Sequence, residues 1–162
     1  MKSGNNGTPL PRELHILLAD DDKDDCLLFQ EALEELRLQA KFTAVHDCDQ
    51  LMHYLTAETV DLPSVLFLDL NMPRKNGLVC LEELKQDKNL KQIPVIIFST
   101  SYDEIIADHL YNKGAHHYIC KPADFCQLKT TIEYAIRLIS EEKTSQQPKE
   151  KFLLSNLRAV SI

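Results

Sequence analysis

Five short runs of branched and other apolar residues recur along the chain, each followed by a longer stretch with helical period. That alternation is the pattern of β-α-β units joined into a parallel sheet, and no other feature narrows the fold as far. The runs are Leu14–Ala19, Phe42–His46, Val65–Asp69, Val95–Ser99 and His117–Cys120. Cys26, Leu27, Phe29, Ala32, Leu33 and Leu36 recur at three- and four-residue steps and predict a first helix that Asp22 can cap. Leu51, Met52 and Leu55 mark a second, from about Cys48 to Ala57, and Leu78, Val79, Leu81 and Leu84 a third. A fourth runs from about Tyr102 to Asn112 and is stopped by Gly114, and Phe125, Leu128, Ile132, Ala135, Ile136 and Ile139 carry the fifth. Val65–Asp69 is almost purely apolar, as expected of a central strand covered on both faces, and Pro94 opens the next strand where no ladder donor is needed. An open, doubly wound α/β sheet follows.

The 162 residues suit one domain, and a composition of 44% hydrophobic and 27% charged residues is that of a packed globular unit. Eighteen Lys and Arg against 25 Asp and Glu leave a formal net charge of −7, which repels phosphate backbones and anionic lipid, so direct DNA or membrane binding is not expected. The apolar runs are far shorter than the ~20 residues of a spanning helix, and the start MKSGNNGTPLP lacks the apolar stretch of a signal peptide, so a cytoplasmic location is expected. Cys26, Cys48, Cys80, Cys120 and Cys126 form no C-x-x-C and read as small core residues. Residues 1–13 read as a flexible N-terminus, 14–140 as the domain and 141–162 as a tail; the polar run EEKTSQQPKEK reads as a linker or disordered tail, and Phe152–Val160 as a frayed terminus rather than a docked piece.

Doubly wound sheets bind ligands outside the carboxyl ends of their strands, so the residues at those ends matter most. The first strand ends in Asp20, Asp21 and Asp22, the third in Asp69, the fourth in Ser99 and Thr100, and the fifth in Lys121. Clustered carboxylates repel one another unless a hard divalent cation sits among them, and Mg²⁺ is the natural candidate because it leaves coordination positions for phosphate oxygens. Lys121 and a hydroxyl would supply a charge and a hydrogen bond to the same anion, an arrangement suited to phosphoryl transfer onto a carboxylate. Asp69, terminating the most apolar strand, is the best nucleophile, with Asp20 and Asp21 as metal holders. Asp22, Asp24 and Asp25 read as charges complementing a helix N-terminus, and His116 and His117 as partly exposed strand-end histidines.

The stretches Ile16–Asp22, Leu66-Phe67-Leu68-Asp69-Leu70-Asn71-Met72-Pro73 with Gly77, Pro94–Ser99, and Gly114-Ala115 through Tyr118 to Lys121-Pro122 resemble the receiver domains of two-component response regulators. The resemblance spans about Leu14 to Ser140. It implies a flavodoxin-like (βα)5 fold with strand order 2-1-3-4-5, and a phosphoryl group taken from a sensor histidine kinase or phosphotransfer protein onto Asp69. It further implies Mg²⁺ held by Asp20, Asp21, Asp69 and the backbone carbonyl of Asn71, Lys121 paired with the phosphorylated aspartate, and Ser99 and Tyr118 as the switch pair. The signal would leave through the surface of the fourth helix, fifth strand and fifth helix to a downstream protein target, with a homodimer through the fourth-helix to fifth-helix face expected by analogy. Residues beyond Ser140 are too few for a helix-turn-helix or a catalytic output domain.

Two other readings fit less well. A Mg²⁺-dependent phosphohydrolase with an aspartyl-phosphate usually carries a second acid two residues after the nucleophile, where this chain has Asn71. A flavodoxin-type FMN binder needs a loop rich in Gly, Ser and Thr after its first strand, where Asp20, Asp21 and Asp22 would repel phosphate.

Overall fold

Alternate residues of each central strand enter different cores, which is how five short apolar runs support two layers of helices. In the computed structural model, which describes residues 14–57, 61–142 and 145–154, β1 (Leu14–Ala19), β2 (Ala40–Val45), β3 (Val65–Leu68), β4 (Val95–Ser99) and β5 (His117–Cys120) form one parallel sheet in the order β2-β1-β3-β4-β5. Leu17, Ala19, Leu66, Leu68, Val95 and Ile97 face one core, and Ile16, Leu18, Val65, Phe67, Ile96 and Phe98 the other. Side chains of a strand alternate across the sheet, so the unbroken apolar runs of β1, β3 and β4 are the price of burial on both faces.

Helices α2 (Cys48–Leu55), α3 (Gly77–Gln86) and α4 (Glu104–Asn112) cover the first face, and α1 (Lys23–Leu36) and α5 (Phe125–Glu142) the second. Each helix begins on a short polar side chain that accepts from the backbone N–H groups the first turn leaves unpaired. Asp22 takes Asp24 and Asp25 N–H, Asp47 takes Gln50, Asn76 takes Val79, Asp103 takes Ile106, and Asp124 takes Gln127. Gly114 follows α4 at φ 103°, the left-handed conformation that ends helices most cheaply at glycine. Phe29, Phe67 and Phe98 meet edge to face beneath the sheet, with centroids 4.9, 5.6 and 6.0 Å apart, each pair worth about 0.5–1.5 kcal/mol beyond its buried area.

The structure moves several boundaries. β2 begins earlier than expected, α4 starts at Glu104 because Asp103 caps it, and α5 runs on to Glu142. A 3-10 turn, Leu90–Gln92, which the sequence reading missed, leads into Pro94. Three expectations are overturned. His116 and His117 are buried rather than partly exposed, His117 because its Nε2 lies 2.9 Å from the Glu142 carboxylate and the chain after α5 covers it. Of the five cysteines, Cys120 is only half-buried and Cys126 is exposed. Phe152 is not frayed: residues 145–154 return to the domain, Phe152 is buried, and Tyr118 and Leu153 form a parallel bridge beside β5. The expected flexible N-terminus at 1–13 and the chain beyond Leu154 lie outside the described residues. No helix among the described residues is long and apolar enough to cross a membrane.

Candidate functional site

The parallel sheet delivers the carboxyl ends of β1, β3, β4 and β5 to one edge, and with them Asp20, Asp69, Ser99 and Lys121. Asp20 follows β1 directly, its N–H bonded to Val45 O, and is wholly buried; Asp69 follows β3, its N–H bonded to Ala19 O, and is 4% exposed. Asp21 points from the loop before α1 and is exposed. Ligand oxygens of Asp20, Asp21 and Asp69 all lie within 4.8 Å of one another. Asp22, next in line, is occupied elsewhere: its Oδ1 caps α1 at 2.9 Å from Asp24 N.

Two or three carboxylates this close need a cation, and Lys121 provides one. Its Nζ lies 2.6 Å from Asp20 Oδ2, 2.9 Å from Asp25 Oδ2 and 3.9 Å from Asp69 Oδ2, and stands over the Phe98 ring, 5.6 Å from its centroid. Burial alone would lower the basicity of this ammonium, but its hydrogen bonds to Asp20 and Asp25 raise its pKa above the ordinary lysine value. Asp69 is less well served. Burial pushes its carboxyl up to about 6, the Asp20 carboxylate adds to the rise, and Lys121 opposes it. Asp69 Oδ1 accepts one longer bond, 3.3 Å, from Asn71 N–H. The site therefore holds more negative charge than one lysine neutralises. An oxygen-coordinated divalent cation fits that donor set, and its field would draw the Asp69 carboxyl back down toward the ordinary carboxylate range.

Beside this pocket Ser99 is fully buried, and its Oγ has no hydrogen-bond partner among the described residues. An orphaned buried hydroxyl is rare because it forfeits its solvation, and this one stands at the end of the strand next to β3, close enough to the Tyr118 hydroxyl to lower that phenol slightly against its burial. Thr100, next to it, is exposed. Tyr118 points inward; its hydroxyl donates to Ser101 O, its ring packs edge-on against Tyr102 at 5.2 Å, and burial pushes its phenol up to about 12. The loop from Leu70 to Asn76 is pinned from two sides. Arg74, at φ 67°, places Nη2 2.7 Å from Asp47 Oδ2, and Gly77 sits where a Cβ would meet Asp69 O at 2.6 Å. No other residue type fits at 77 without moving the backbone of Asp69.

The structure thus brings together Asp20, Asp21, Asp69 and Lys121, with Asn71 bonded to Asp69. Ser99 ends the neighbouring strand, and Tyr118 lies one strand further out. Sequence reasoning missed Asp25, read only as a charge at a helix N-terminus. It lies in the first turn of α1 and is bound by Lys121, 96 residues further on, a pairing that no local spacing announces. It also missed His46, whose Nδ1 lies 3.0 Å from Asp20 O and has no sequence signature of its own.

The response regulator receiver domain model matches residues 16–133. The chain belongs to that family. It is a receiver domain of two-component signalling, with the doubly wound order that family has. It is 36% identical over 100 residues to the response regulator Rcp1 of a Synechocystis strain, an alignment covering 58% of this chain and 68% of Rcp1. The probable methanogenesis regulatory protein FilR2 of Methanothrix harundinacea is 29% identical over 121 residues, 73% of this chain and 78% of that protein. Among solved structures, the phosphorylated cyanobacterial phytochrome response regulator RcpA superposes with a TM-score of 0.70 at 34% identity, covering 85% of this chain and 98% of RcpA. The Mn²⁺-bound form of Rcp1 gives 0.67 at 29% identity, over 83% and 99%.

Proposed function

We propose that this receiver takes a phosphoryl group from the phosphohistidine of a sensor kinase or phosphotransfer protein onto Asp69, with Mg²⁺ held by Asp20, Asp21, Asp69 and the Asn71 carbonyl. The single observation that carries the reading is the buried Asp69 carboxyl, raised to about 6 beside Asp20 and only 3.9 Å from a lysine already shared by two other carboxylates. The cation supplies charge neutralisation for the nucleophile and the incoming phosphoryl oxygens. Asp69 Oδ attacks phosphorus, the bond from phosphorus to the imidazole nitrogen breaks, and the kinase histidine leaves with the electron pair. Lys121 then has a fresh anion to pair with, and the Ser99 hydroxyl gains the acceptor it lacks.

Movement of Ser99 toward that anion opens room behind it for a rearrangement of Tyr118, the route by which the state of Asp69 reaches the surface of α4, β5 and α5. Output then passes by protein contact, from residues 14–140 acting as the signalling unit. The likeness to a phytochrome response regulator supports a phytochrome-type histidine kinase as the upstream partner. The test is incubation with Mg²⁺ and a small-molecule phosphodonor, followed by intact-mass measurement. One base-labile adduct is expected on the wild-type chain and none on Asp69→Asn; an adduct retained by Asp69→Asn removes Asp69 as the acceptor.

A further inference from the structure

Lys121 does not rest on Asp69, the residue it is to serve once a phosphoryl group arrives. Of its three N–H donors, one meets Asp20 Oδ2 at 2.6 Å and one meets Asp25 Oδ2 at 2.9 Å, while Asp69 Oδ2 stands off at 3.9 Å. The backbone fixes both ends of the Asp25 contact. Lys121 N–H donates to Ser99 O at 2.8 Å, and Pro122 follows it. On α1, Asp25 N–H donates to Asp22 Oδ1 at 3.2 Å and Cys26 N–H donates to Asp22 O at 3.1 Å, so the first turn carries the Asp25 carboxylate to the lysine at a set position.

Asp25 differs from the other acids around this ammonium. Asp20, Asp21 and Asp69 bring ligand oxygens within 4.8 Å of one another, and Asp25 is outside that group. Once Asp20 is bound to a cation its carboxylate has less charge left for the ammonium, and Asp25 is the acid that Lys121 keeps. The Asp25 side chain is 31% exposed, so the pair is partly screened and gives way more readily than a buried one. A phosphoryl group on Asp69, with nearly two negative charges against the single one of a carboxylate, outcompetes it for the lysine. We propose that Asp25 is a positioning residue for phosphoryl transfer: it holds the Lys121 ammonium away from Asp69 in the unphosphorylated chain, and so slows adduct formation until the phosphoryl group draws the lysine across. The proposal rests on Asp69 being the acceptor.

A charge at a helix N-terminus is the alternative role, and Asp24 supplies its control. It lies in the same turn, carries the same charge and forms no ion pair with Lys121 among the described residues. Two measurements on the full chain compare wild type, Asp25→Ala, Asp25→Glu and Asp24→Ala. The first needs neither metal nor phosphate: trace acetylation with acetic anhydride in chelator, with Lys121 read by peptide mapping against the chain's other lysines. Asp25→Ala should raise the relative reactivity of Lys121 at least about threefold, because an ammonium that loses a carboxylate partner gives up its proton more easily. The second is the initial rate of adduct formation with phosphoramidate and Mg²⁺, followed by intact mass. Asp25→Ala should raise it at least about threefold, with Asp24→Ala and Asp25→Glu within about twofold of wild type in both measurements. A rate for Asp25→Ala at or below wild type, a rise matched by Asp24→Ala, a glutamate variant no nearer wild type than the alanine one, or unchanged Lys121 reactivity overturns the proposal. Absence of any adduct on wild type removes the reading of Asp69 and this proposal with it, whereas an adduct whose rate ignores Asp25 removes this proposal alone.

Discussion

Replacing Asp69 with asparagine should stabilise the metal-free chain at neutral pH and lose most of that effect in acid. Asn keeps an acceptor for Asn71 N–H, and Lys121 keeps Asp20 and Asp25 at 2.6 and 2.9 Å, so the substitution removes little except a charge. The native carboxyl is raised to about 6 by burial and by Asp20. In the unfolded chain it returns to about 3.9. A folded pKa above the unfolded one means that the fold prefers the protonated form. The favourable contribution of Asp69 is therefore complete below about pH 4 and is lost as pH rises through about 6. At about 1.4 kcal/mol per unit, ionised Asp69 costs the metal-free fold about 3 kcal/mol at pH 8 and about 1 kcal/mol at pH 4.5. For a domain of this size 3 kcal/mol corresponds to roughly 6 °C or more in Tm. Thermal unfolding by circular dichroism in chelator, wild type against Asp69→Asn at both pH values, reads the difference. Excess Mg²⁺ should then raise the Tm of wild type more than that of Asp69→Asn. An Asn variant that is less stable than wild type at pH 8, or equally shifted at both pH values, refutes the claim that Asp69 sits uncompensated.

Ser99→Ala should raise the urea midpoint, by about 1 kcal/mol of stability, because it deletes a buried hydroxyl with no partner, while uncoupling phosphorylation from any surface change; a lowered midpoint means that Oγ is bonded after all. Lys121→Ala should fold but lose about 3–5 kcal/mol in chelator, since it strands the buried Asp20 carboxylate, with Mg²⁺ restoring part of the loss in a titration followed by unfolding. Gly77→Ala should cost about 1–3 kcal/mol and weaken Mg²⁺ binding by calorimetry, because its Cβ would press on Asp69 O; unchanged affinity would show that the loop yields elsewhere.

The parts of the fold legible in the sequence were those fixed by burial on both faces. Leu66 to Leu68 or Ile96 to Phe98 admit hardly any reading but a central strand, and once the sheet is parallel its carboxyl ends must gather Asp20, Asp69, Ser99 and Lys121 at one edge. What stayed hidden depends on pairings between distant segments that carry no periodic signal. Asp25 looked like one more acid in a helix's first turn until Lys121, 96 residues away, was seen to reach it. His117 reads as a polar strand residue because nothing local announces Glu142, and a lone Phe152 after a polar run reads as a terminus because a single bridge has no pattern.

The central claim is that Asp69 accepts a phosphoryl group only when a divalent cation joins the carboxylates around it. Peptide mapping by tandem mass spectrometry, after a brief exposure of the full chain to a small-molecule phosphodonor with Mg²⁺ or with chelator, addresses it directly. One modified residue, Asp69, is expected in the Mg²⁺ sample and an unmodified chain in chelator. Modification at His116, His117 or another carboxylate in place of Asp69, or equal labelling without the cation, would contradict it.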